Sequence, residues 1–237
     1  AMLLCAAMVM SLAACGGSTS TAPAAPTAAP AQEGYTVGIC QLVQHEALDA
    51  ATEGFKAALT EKLGDDVAFV EHNASGDAAT CITICNQLVS EGVDLIMGNA
   101  TPALQAAAAA TSEIPVVGTS ITDYATALEI EGWTGKTGTN ITGTADLAPL
   151  DQQAAMIQEL FPDAEKVAIL YCSAEANSVY QAEEVKKALE TLGKTVTVYT
   201  FSDSNDVASV TATACNENDA LYIPTDNTAA SSAEAIN

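Results

Sequence analysis

The sequence predicts an α/β protein built from two domains, each with a parallel sheet that is covered by helices on both faces. Three observations lead to this prediction. From residue 35 onward, short apolar runs alternate with longer amphipathic ones. An irregular stretch at 119–149 interrupts the alternation, and the same alternation then restarts and continues to residue 237. Alternating strands and helices of this kind favour parallel pairing, because each crossover helix returns the chain to the same end of the sheet.

The elements of the first half follow from hydrophobic periodicity and from stop signals. We predict strands at 35–40, 67–70, 93–97 and 114–117, and helices at 48–63, 77–89 and from Thr101 onward. Gly64 is expected to end the first helix. Thr101 is expected to cap the third helix, with Pro102 at its first position. The residues expected to face inward from the second helix are Ala78, Ile82, Cys85 and Leu88 or Val89.

The second half repeats this pattern with fewer elements. We predict helices at 150–160, 178–192, near 207–215 and from 227, and strands at 167–171, 196–199 and 220–223. The domain boundaries that follow are 34–148 for an N-terminal α/β lobe and 149–237 for a C-terminal one. Because the second half holds only three clear strands and stops inside a predicted helix, we expect the second lobe to be incomplete in this chain.

The first 33 residues predict a secreted and lipid-anchored chain. An apolar run at 2–12 is too short to span a bilayer and is typical of a secretory signal. The run ends in Leu-Ala-Ala-Cys, which looks like a bacterial lipobox, so 1–15 is predicted to be a lipoprotein signal peptide with Cys15 as the lipidated residue. Residues 16–33 are Gly, Ser, Thr, Ala and Pro in the main, a composition typical of a flexible linker. The predicted location is therefore the extracytoplasmic face of the cell membrane.

Composition excludes several partners. The formal net charge is −23, with seven lysines and no arginine. Nucleic acid needs clustered cations to neutralise its phosphates, so it is excluded as a partner. Anionic membrane surfaces are excluded for the same reason, and contact with the membrane is expected through the lipid anchor alone. The acidity is interpreted as a soluble, repulsive surface, and a monomer is expected.

The cysteines predict no regular disulfide framework. Two of the seven lie in the predicted signal peptide and lipobox, and an odd number remains: Cys40, Cys81, Cys85, Cys172 and Cys215. Cys81 and Cys85 are spaced i,i+4 on a predicted helix, which could suit a metal ion or a bridge. Since no histidine or further cysteine lies near them in sequence, we interpret the remaining cysteines as small buried apolar residues.

Polar segments follow the predicted strands at equivalent positions. Ligands of open α/β sheets bind beyond the carboxyl ends of the strands. Hydroxyls, amides and carboxylates are concentrated in the segments 41–49, 98–103, 118–123, 173–178 and 224–227. Helix starts with free N–H groups suit a carboxylate, and a nearby Asp or Glu suits an ammonium group, so the set suits a zwitterion. Ordinary helix capping explains any one of these residues, whereas five such segments favour a binding site.

Enzyme signatures are incomplete. His45-Glu46-x-x-Asp49 resembles a zinc-protease motif whose second histidine is missing. Gly135-Lys136-Thr137 resembles the end of a phosphate loop, but Ile130 stands where the first glycine is required. The sequence contains no nucleophile elbow and no dinucleotide-binding fingerprint. We therefore predict no catalytic residues, no metal site and no cofactor.

From about residue 35 to its end, the chain resembles the substrate-binding proteins of ABC transporters that have the type I periplasmic-binding fold. It is most similar to the branch associated with tryptophan and tyrosine uptake. The motifs that carry the resemblance are 44–49 (QHEALD), 100–103 (ATPA), Thr119 with 122–123, 173–178 (SAEANS) and 224–227 (PTDN). The resemblance implies two Rossmann-like lobes with a ligand between them, and closure that presents a docking face to the permease subunits.

The resemblance also implies which residues bind the ligand. From the first lobe these are Thr101, Ser120 and Asp123; from the second lobe they are Glu175, Ala176, Asn177 and Asp226. His45 is added to this set because it lies at the predicted rim of the cleft, where a role in ligand binding or closure and an ordinary surface-loop residue both remain open. Hydroxyls and backbone N–H groups of the first lobe would hold a carboxylate, and Asp226 or Glu175 would hold an ammonium group. The implied ligand is an amino acid, with an aromatic side chain favoured.

Several alternatives remain open from sequence. The ligand could be a branched amino acid, a nucleoside or a sugar, although sugar sites usually stack the ring on aromatic side chains and the predicted segments contain few. The chain could also be a lipid-anchored sensor domain. An α/β hydrolase would need a nucleophile, a base and an orienting group within reach of one another. The sequence contains only two histidines and no elbow motif, which argues against this alternative.

Overall fold

The computed structural model describes residues 34–237, so the predicted signal peptide at 1–15 and linker at 16–33 lie outside the described residues. The described part contains two parallel sheets. The first has five strands in the order β2-β1-β3-β4-β5, with bounds β1 Tyr35–Gln41, β2 Val67–Asn73, β3 Leu95–Asn99, β4 Val116–Ile121 and β5 Ile141–Ala145. Its helices are α1 Glu46–Leu63, α2 Ala78–Glu91, α3 Thr101–Ala110 and α4 Tyr124–Ala127.

The second sheet has three strands in the order β7-β6-β8. Their bounds are β6 Lys166–Cys172, β7 Thr195–Phe201 and β8 Ala220–Tyr222. The helices of this part are α5 Leu150–Leu160, α6 Ala176–Thr191, α7 Val207–Glu217, α8 Asn227–Ser231 and α9 Ala233–Ile236. Residues 146–149 connect the two parts, which we call the first and second lobes. The predicted two-lobe α/β architecture is confirmed, while the boundary at 148/149 stays a prediction.

Each lobe has its own apolar core, because the central strands β1, β3 and β6 are buried on both faces. Helices α2 and α3 cover one face of the first sheet around Leu88, Ile96 and Leu104. The other face packs Ile39 and Met97 against α1. None of the described helices combines the length and the apolarity that a membrane crossing requires.

The fifth strand of the first sheet corrects a prediction. The stretch 119–149 was expected to be irregular, but it contains the end of β4, helix α4 and strand β5, which pairs in parallel with β4. Only Ile141 of β5 is buried, because β5 lies at the edge of the sheet. A five-residue edge strand with two glycine or alanine positions and one buried side chain carries no apolar run, which is why periodicity did not reveal it.

Two local predictions about helices are also wrong. Thr101 does not cap α3: Ala100 stands at the capping position with φ +82°, and Thr101 is the first helical residue. Helix α2 does not turn Ile82 inward, since that side chain is 51% exposed. Its cap is Asp77, which accepts a hydrogen bond from Thr80 N at 2.6 Å, and this start directs Cys81 and Ile84 into the core with Cys85 and Leu88.

Four of the five cysteines are buried as predicted, and Cys215 is exposed on α7, which corrects that prediction.

Candidate functional site

The residues predicted to bind ligand lie at the carboxyl ends of the strands in both lobes. His45 precedes α1, Thr101 begins α3, Ser120 lies in β4 and Asp123 caps α4. In the second lobe, Glu175 precedes α6, Ala176 and Asn177 open that helix, and Asp226 caps α8. The two edges approach each other, because α6 contacts both α3 and α4.

The start of α3 places one unsatisfied hydroxyl at the edge of the first lobe. Thr101 is 2% exposed, and its Oγ1 has no hydrogen-bond partner. Next to it, the buried Asn99 donates to Leu48 O at 2.8 Å and to Thr52 Oγ1 at 2.9 Å. These bonds tie the end of β3 to α1, so the helix that follows His45 is held firmly against the sheet.

The end of β4 is shaped by a local irregularity. Ser120 has φ +56°, in the left-handed region, and the pairing with β5 changes register between Gly118 and Ile121. The bulge turns the chain toward Asp123, whose Oδ1 accepts hydrogen bonds from Thr126 N and Oγ1, both at 2.7 Å. Helix α4, which Asp123 caps, contacts α6 of the second lobe. Burial, and then the charge of Asp123, raise the pKa of Tyr180 on α6.

Glu175 is the most heavily hydrogen-bonded side chain of the site. It is 3% exposed. Its Oε1 accepts from Thr228 N at 2.9 Å and Oγ1 at 2.8 Å. Its Oε2 accepts from Asn227 Nδ2 at 2.6 Å, from Asn227 N at 3.1 Å and from Asn177 Nδ2 at 3.3 Å. These donors fill the acceptor sites of a carboxylate, so the geometry favours a positioning role over the ammonium contact predicted from sequence.

Asp226 ties three segments of the second lobe together. Its Oδ1 caps α8 by accepting from Ala229 N at 2.7 Å, and its Oδ2 accepts from Cys172 N and Ser178 Oγ, both at 2.7 Å. Burial, and then the nearby charge of Glu175, raise the pKa of Asp226 to about 6, against the opposing effect of these donors. Asp226 is 4% exposed, and both of its carboxylate oxygens accept hydrogen bonds from residues of the second lobe, as those of Glu175 do.

Asn177 supplies an unused acceptor beside these carboxylates. Its Nδ2 donates to Thr225 O at 3.0 Å, which orients the amide, and its Oδ1 is buried without a partner. The neighbouring Ala176 is half-buried and contributes a helix-start N–H group rather than side-chain chemistry. The second lobe therefore offers a free amide oxygen where the sequence indicated a free carboxylate.

One polar contact joins the two lobes directly. His45 Nε2 of the first lobe lies 3.3 Å from Asn227 Oδ1 of the second. Because Asn227 Nδ2 donates to Glu175, its Oδ1 faces the imidazole, and the contact suits an N–H donated by His45. A continuous chain from His45 through Asn227 to Glu175 thus links the rim of one lobe to the buried carboxylate of the other.

A cavity of about 120 Å³ lies between the lobes. Among the eight predicted residues, only Glu175 lines it. The other lining residues are Leu42, Val43, Ser75, Gly76, Ala78 and Pro102 from the first lobe, with Cys172, Ala174, Ser202, Asp203, Ser204, Thr228 and Ser231 from the second. Its volume is below the roughly 300 Å³ at which pockets for small organic ligands begin.

A second cavity between the lobes has a volume of about 380 Å³ and is lined by two of the predicted residues, His45 and Asp226. Its other lining residues are Ala47 from the first lobe, with Ile223, Pro224, Thr225, Asn227, Ala229, Ala230, Ala233, Ile236 and Asn237 from the second. Another, of about 480 Å³, runs along the edge strand β5 beside Tyr124 and Trp133, and none of the predicted residues lines it. Within residues 34–237, no group of three or more His, Cys, Asp or Glu side chains is arranged to hold a metal ion.

Sequence reasoning missed two polar segments of the cavity between the lobes. Ser75 follows β2, and the segment 202–204 follows β7. Both stand directly after a strand, as the predicted segments do. Applying the same rule to β2 and β7 would have found them.

A family model described as "ABC transporter substrate binding protein" matches residues 36–237. A curated relative, the tyrosine-binding protein of Clostridioides difficile strain R20291, is 34% identical over 199 residues, which are 83% of this chain and 57% of the relative. The chain thus spans less than two thirds of the length of that relative.

Two solved structures resemble this one to different degrees. A domain from Streptococcus pneumoniae in complex with L-Trp is 36% identical, with a TM-score of 0.81 over 86% of this chain and 69% of that one. The ligand-free, open structure of a substrate binding protein with adhesive properties from Clostridium difficile is 33% identical, with a TM-score of 0.57 over 85% and 69%. The fold that the sequence resemblance implied is confirmed.

Proposed function

Because this chain belongs to the ABC transporter substrate binding protein family, we propose that it binds a small solute between its two lobes and delivers it to the permease subunits of an ABC importer. The observation that carries the proposal is the meeting of two polar sheet edges, linked by the contact between His45 and Asn227. Binding without covalent chemistry is part of the proposal. Lobe closure around the solute would couple binding to docking on the permease.

We propose an amino acid with an aromatic side chain as the ligand. Support comes from the tyrosine-binding relative and from the L-Trp complex, each about one third identical to this chain. Three buried polar atoms of the site have no protein partner: the Thr101 hydroxyl and the amide oxygens of Asn99 and Asn177. Leaving such buried atoms unpaired costs about 1–3 kcal/mol each. A zwitterion would relieve that cost if its carboxylate accepted from Thr101 and its ammonium donated to Asn177.

We infer that the structure represents the closed arrangement of the lobes. The two solved relatives have nearly equal identity and coverage, yet the L-Trp complex superposes far better than the open, ligand-free structure. A rotation between rigid lobes lowers the TM-score of a whole-chain superposition without changing the structure of either lobe, and such a rotation accounts for that difference. The contact between His45 and Asn227 fits closure as well.

The ligand is tested by thermal unfolding of the full chain with L-Trp, L-Tyr, L-Phe, L-Leu, a nucleoside and a hexose. A ligand at 100 times its dissociation constant stabilises the folded state by about 2.7 kcal/mol. For a domain of this size, this raises the unfolding midpoint by roughly 5–10 °C. We expect this shift with the aromatic amino acids.

Two variants make the test specific to the site. Thr101→Val removes the hydroxyl while keeping the shape, and we expect it to reduce the shift at a given ligand concentration. Thr60→Val makes the same change at an exposed position of α1 and should leave the shift intact. A shift with the nucleoside or hexose and none with amino acids would refute the proposed ligand class, and no shift with any compound would refute solute binding by this chain.

We further propose that Cys15 carries the lipid anchor and that 1–15 is the signal segment, so the protein acts at the extracytoplasmic face of the membrane as a monomer. Support comes from the Leu-Ala-Ala-Cys sequence and from the family's extracytoplasmic role. In a bacterial host fed a labelled fatty acid, the wild-type chain should take up label and sediment with membranes. Cys15→Ser should lose both properties, whereas Cys5→Ser should keep them. Labelling that survives Cys15→Ser would contradict the assignment.

A further inference from the structure

The two lobes are joined by a single hydrogen bond. Among residues 34–237, the pair His45 Nε2 and Asn227 Oδ1, 3.3 Å apart, is the one hydrogen bond that crosses from the first lobe to the second. No ion pair of these residues crosses, and each of their apolar clusters belongs to one lobe. Because no apolar cluster spans the lobes, one hydrogen bond is enough to shift the balance between open and closed forms.

His45 stands on a rigid support in the first lobe. It directly precedes α1, and its side chain does not cap that helix. Gln41 at the end of β1 donates from Nε2 to Asp49 Oδ1 at 2.7 Å and accepts from Thr52 Oγ1 at 2.6 Å. Asn99 at the end of β3 donates to the same Thr52 hydroxyl at 2.9 Å. These buried bonds tie the first turns of α1 to the sheet, so the backbone that carries the imidazole moves with the first lobe.

Asn227 is fixed in the same way by the second lobe. It is the first residue of α8 and is 8% exposed. Its Nδ2 and its backbone N–H both donate to Glu175 Oε2, at 2.6 and 3.1 Å, which leaves the amide oxygen to face the first lobe. A donor fixed on one lobe and an acceptor fixed on the other meet at one relative position of the lobes. Little conformational entropy is lost when such preorganised groups pair.

We propose that His45 and Asn227 form a latch, which pairs only in the closed arrangement and thereby sets the fraction of closed protein and its affinity for the solute. The proposal rests on the proposed function, because it concerns closure of the same site. A hydrogen bond of ordinary net strength favours one state by roughly 2- to 10-fold. When only the closed form holds the solute, the apparent dissociation constant varies inversely with the closed fraction. His45 then determines affinity through closure, for any solute that the site accepts.

The first arm of the test measures the distance between the lobes without any solute. Spin labels are placed on Thr60→Cys, exposed on α1, and on Cys215, exposed on α7, in the full chain with Cys5→Ser and Cys15→Ser. The other described cysteines are buried and stay unlabelled. His45→Phe keeps a ring but removes the donor, so the ratio of closed to open protein should fall roughly 2- to 10-fold.

Two matched variants separate the latch from the loss of an imidazole. His45→Gln returns an N–H donor to the position of Nε2 and should restore most of the closed population. His72→Phe makes the same change on β2, where Nε2 has no hydrogen-bond partner among the described residues, and should keep the wild-type distance distribution. Asn227 is left unchanged, because its amide also serves Glu175.

The second arm measures dissociation constants for L-Trp and L-Tyr by calorimetry. Because the latch acts on the lobes, His45→Phe should weaken both amino acids by the same factor, roughly 2- to 10-fold. A loss that differs between the two would make His45 a contact of the solute and overturn the proposal. An unchanged distance distribution in His45→Phe would also overturn it. If neither amino acid binds to the wild type, the proposed ligand fails, while the distances still decide on the latch.

Discussion

Replacing Glu175 with alanine is expected to destabilise the protein by about 3–5 kcal/mol, because several buried hydrogen-bond donors would lose their acceptor together. The reason is the number of donors that would lose their acceptor. Backbone and side-chain donors of Asn227 and Thr228, with the amide of Asn177, all donate to this one carboxylate. Each buried donor left unpaired costs about 1–3 kcal/mol before relaxation.

Part of the loss is offset at Asp226. The charge of Glu175 is one cause of the raised pKa of Asp226, so removing Glu175 makes an ionised Asp226 less costly in the folded state. The expected loss therefore stays below the sum over all the stranded donors. This offset depends on pH, because the two carboxylates repel each other only when both are ionised. It is therefore largest above about pH 6, where Asp226 of the wild type is ionised.

The loss is measured from urea unfolding midpoints at constant m-value. Glu183→Ala is the matched control, because Glu183 lies on the same helix α6 and is exposed. It should change the free energy of unfolding by no more than about 0.5 kcal/mol. Glu175→Gln keeps one acceptor oxygen, so its loss in the free energy of unfolding should lie between those of Glu183→Ala and Glu175→Ala. A loss under about 1 kcal/mol for Glu175→Ala would refute the positioning role that the geometry assigns to Glu175.

Replacing Gly143 with alanine is expected to cost roughly 2–3 kcal/mol, in the range found for overpacked sites. A Cβ atom at this position of β5 would overlap the carbonyl oxygen of Gly118 on β4 and the hydroxyl of Tyr124. That hydroxyl is itself fixed by hydrogen bonds to Gly118 O at 3.1 Å and Thr144 O at 3.3 Å. Because the overlap with Gly118 involves its backbone, a change of side-chain rotamer cannot relieve it, and β5 must move away from β4 next to the bulge that carries Ser120.

The measurement is the unfolding midpoint, which should fall by roughly 5–10 °C for a domain of this size. Gly54→Ala is the control, because Gly54 lies inside α1 with open space around the new methyl group. Alanine has the higher helix propensity, so that variant should gain roughly 0.5–1 kcal/mol. Equal midpoints for the two variants would show that β5 does not approach β4 as closely as described.

The sequence alone determined the order of strands and helices, because a buried strand needs a run of apolar residues and a surface helix needs an apolar stripe. These are local requirements, and β1, α1 and β6 satisfy them plainly. The same local logic placed the polar segments at the carboxyl ends of the strands. It did not find β5, since an edge strand that buries only Ile141 satisfies its backbone without an apolar run.

Only the tertiary structure decided what those polar residues contact. Glu175 and Asp226 belong to segments about fifty residues apart, and whether a carboxylate there is free for a ligand depends on which donors the fold brings to it. The same holds for Cys40, which lies in one apolar core with Cys81 and Cys85 although no local pattern connects them. Secondary structure follows from neighbours along the chain, whereas hydrogen-bond saturation and burial follow from neighbours in space.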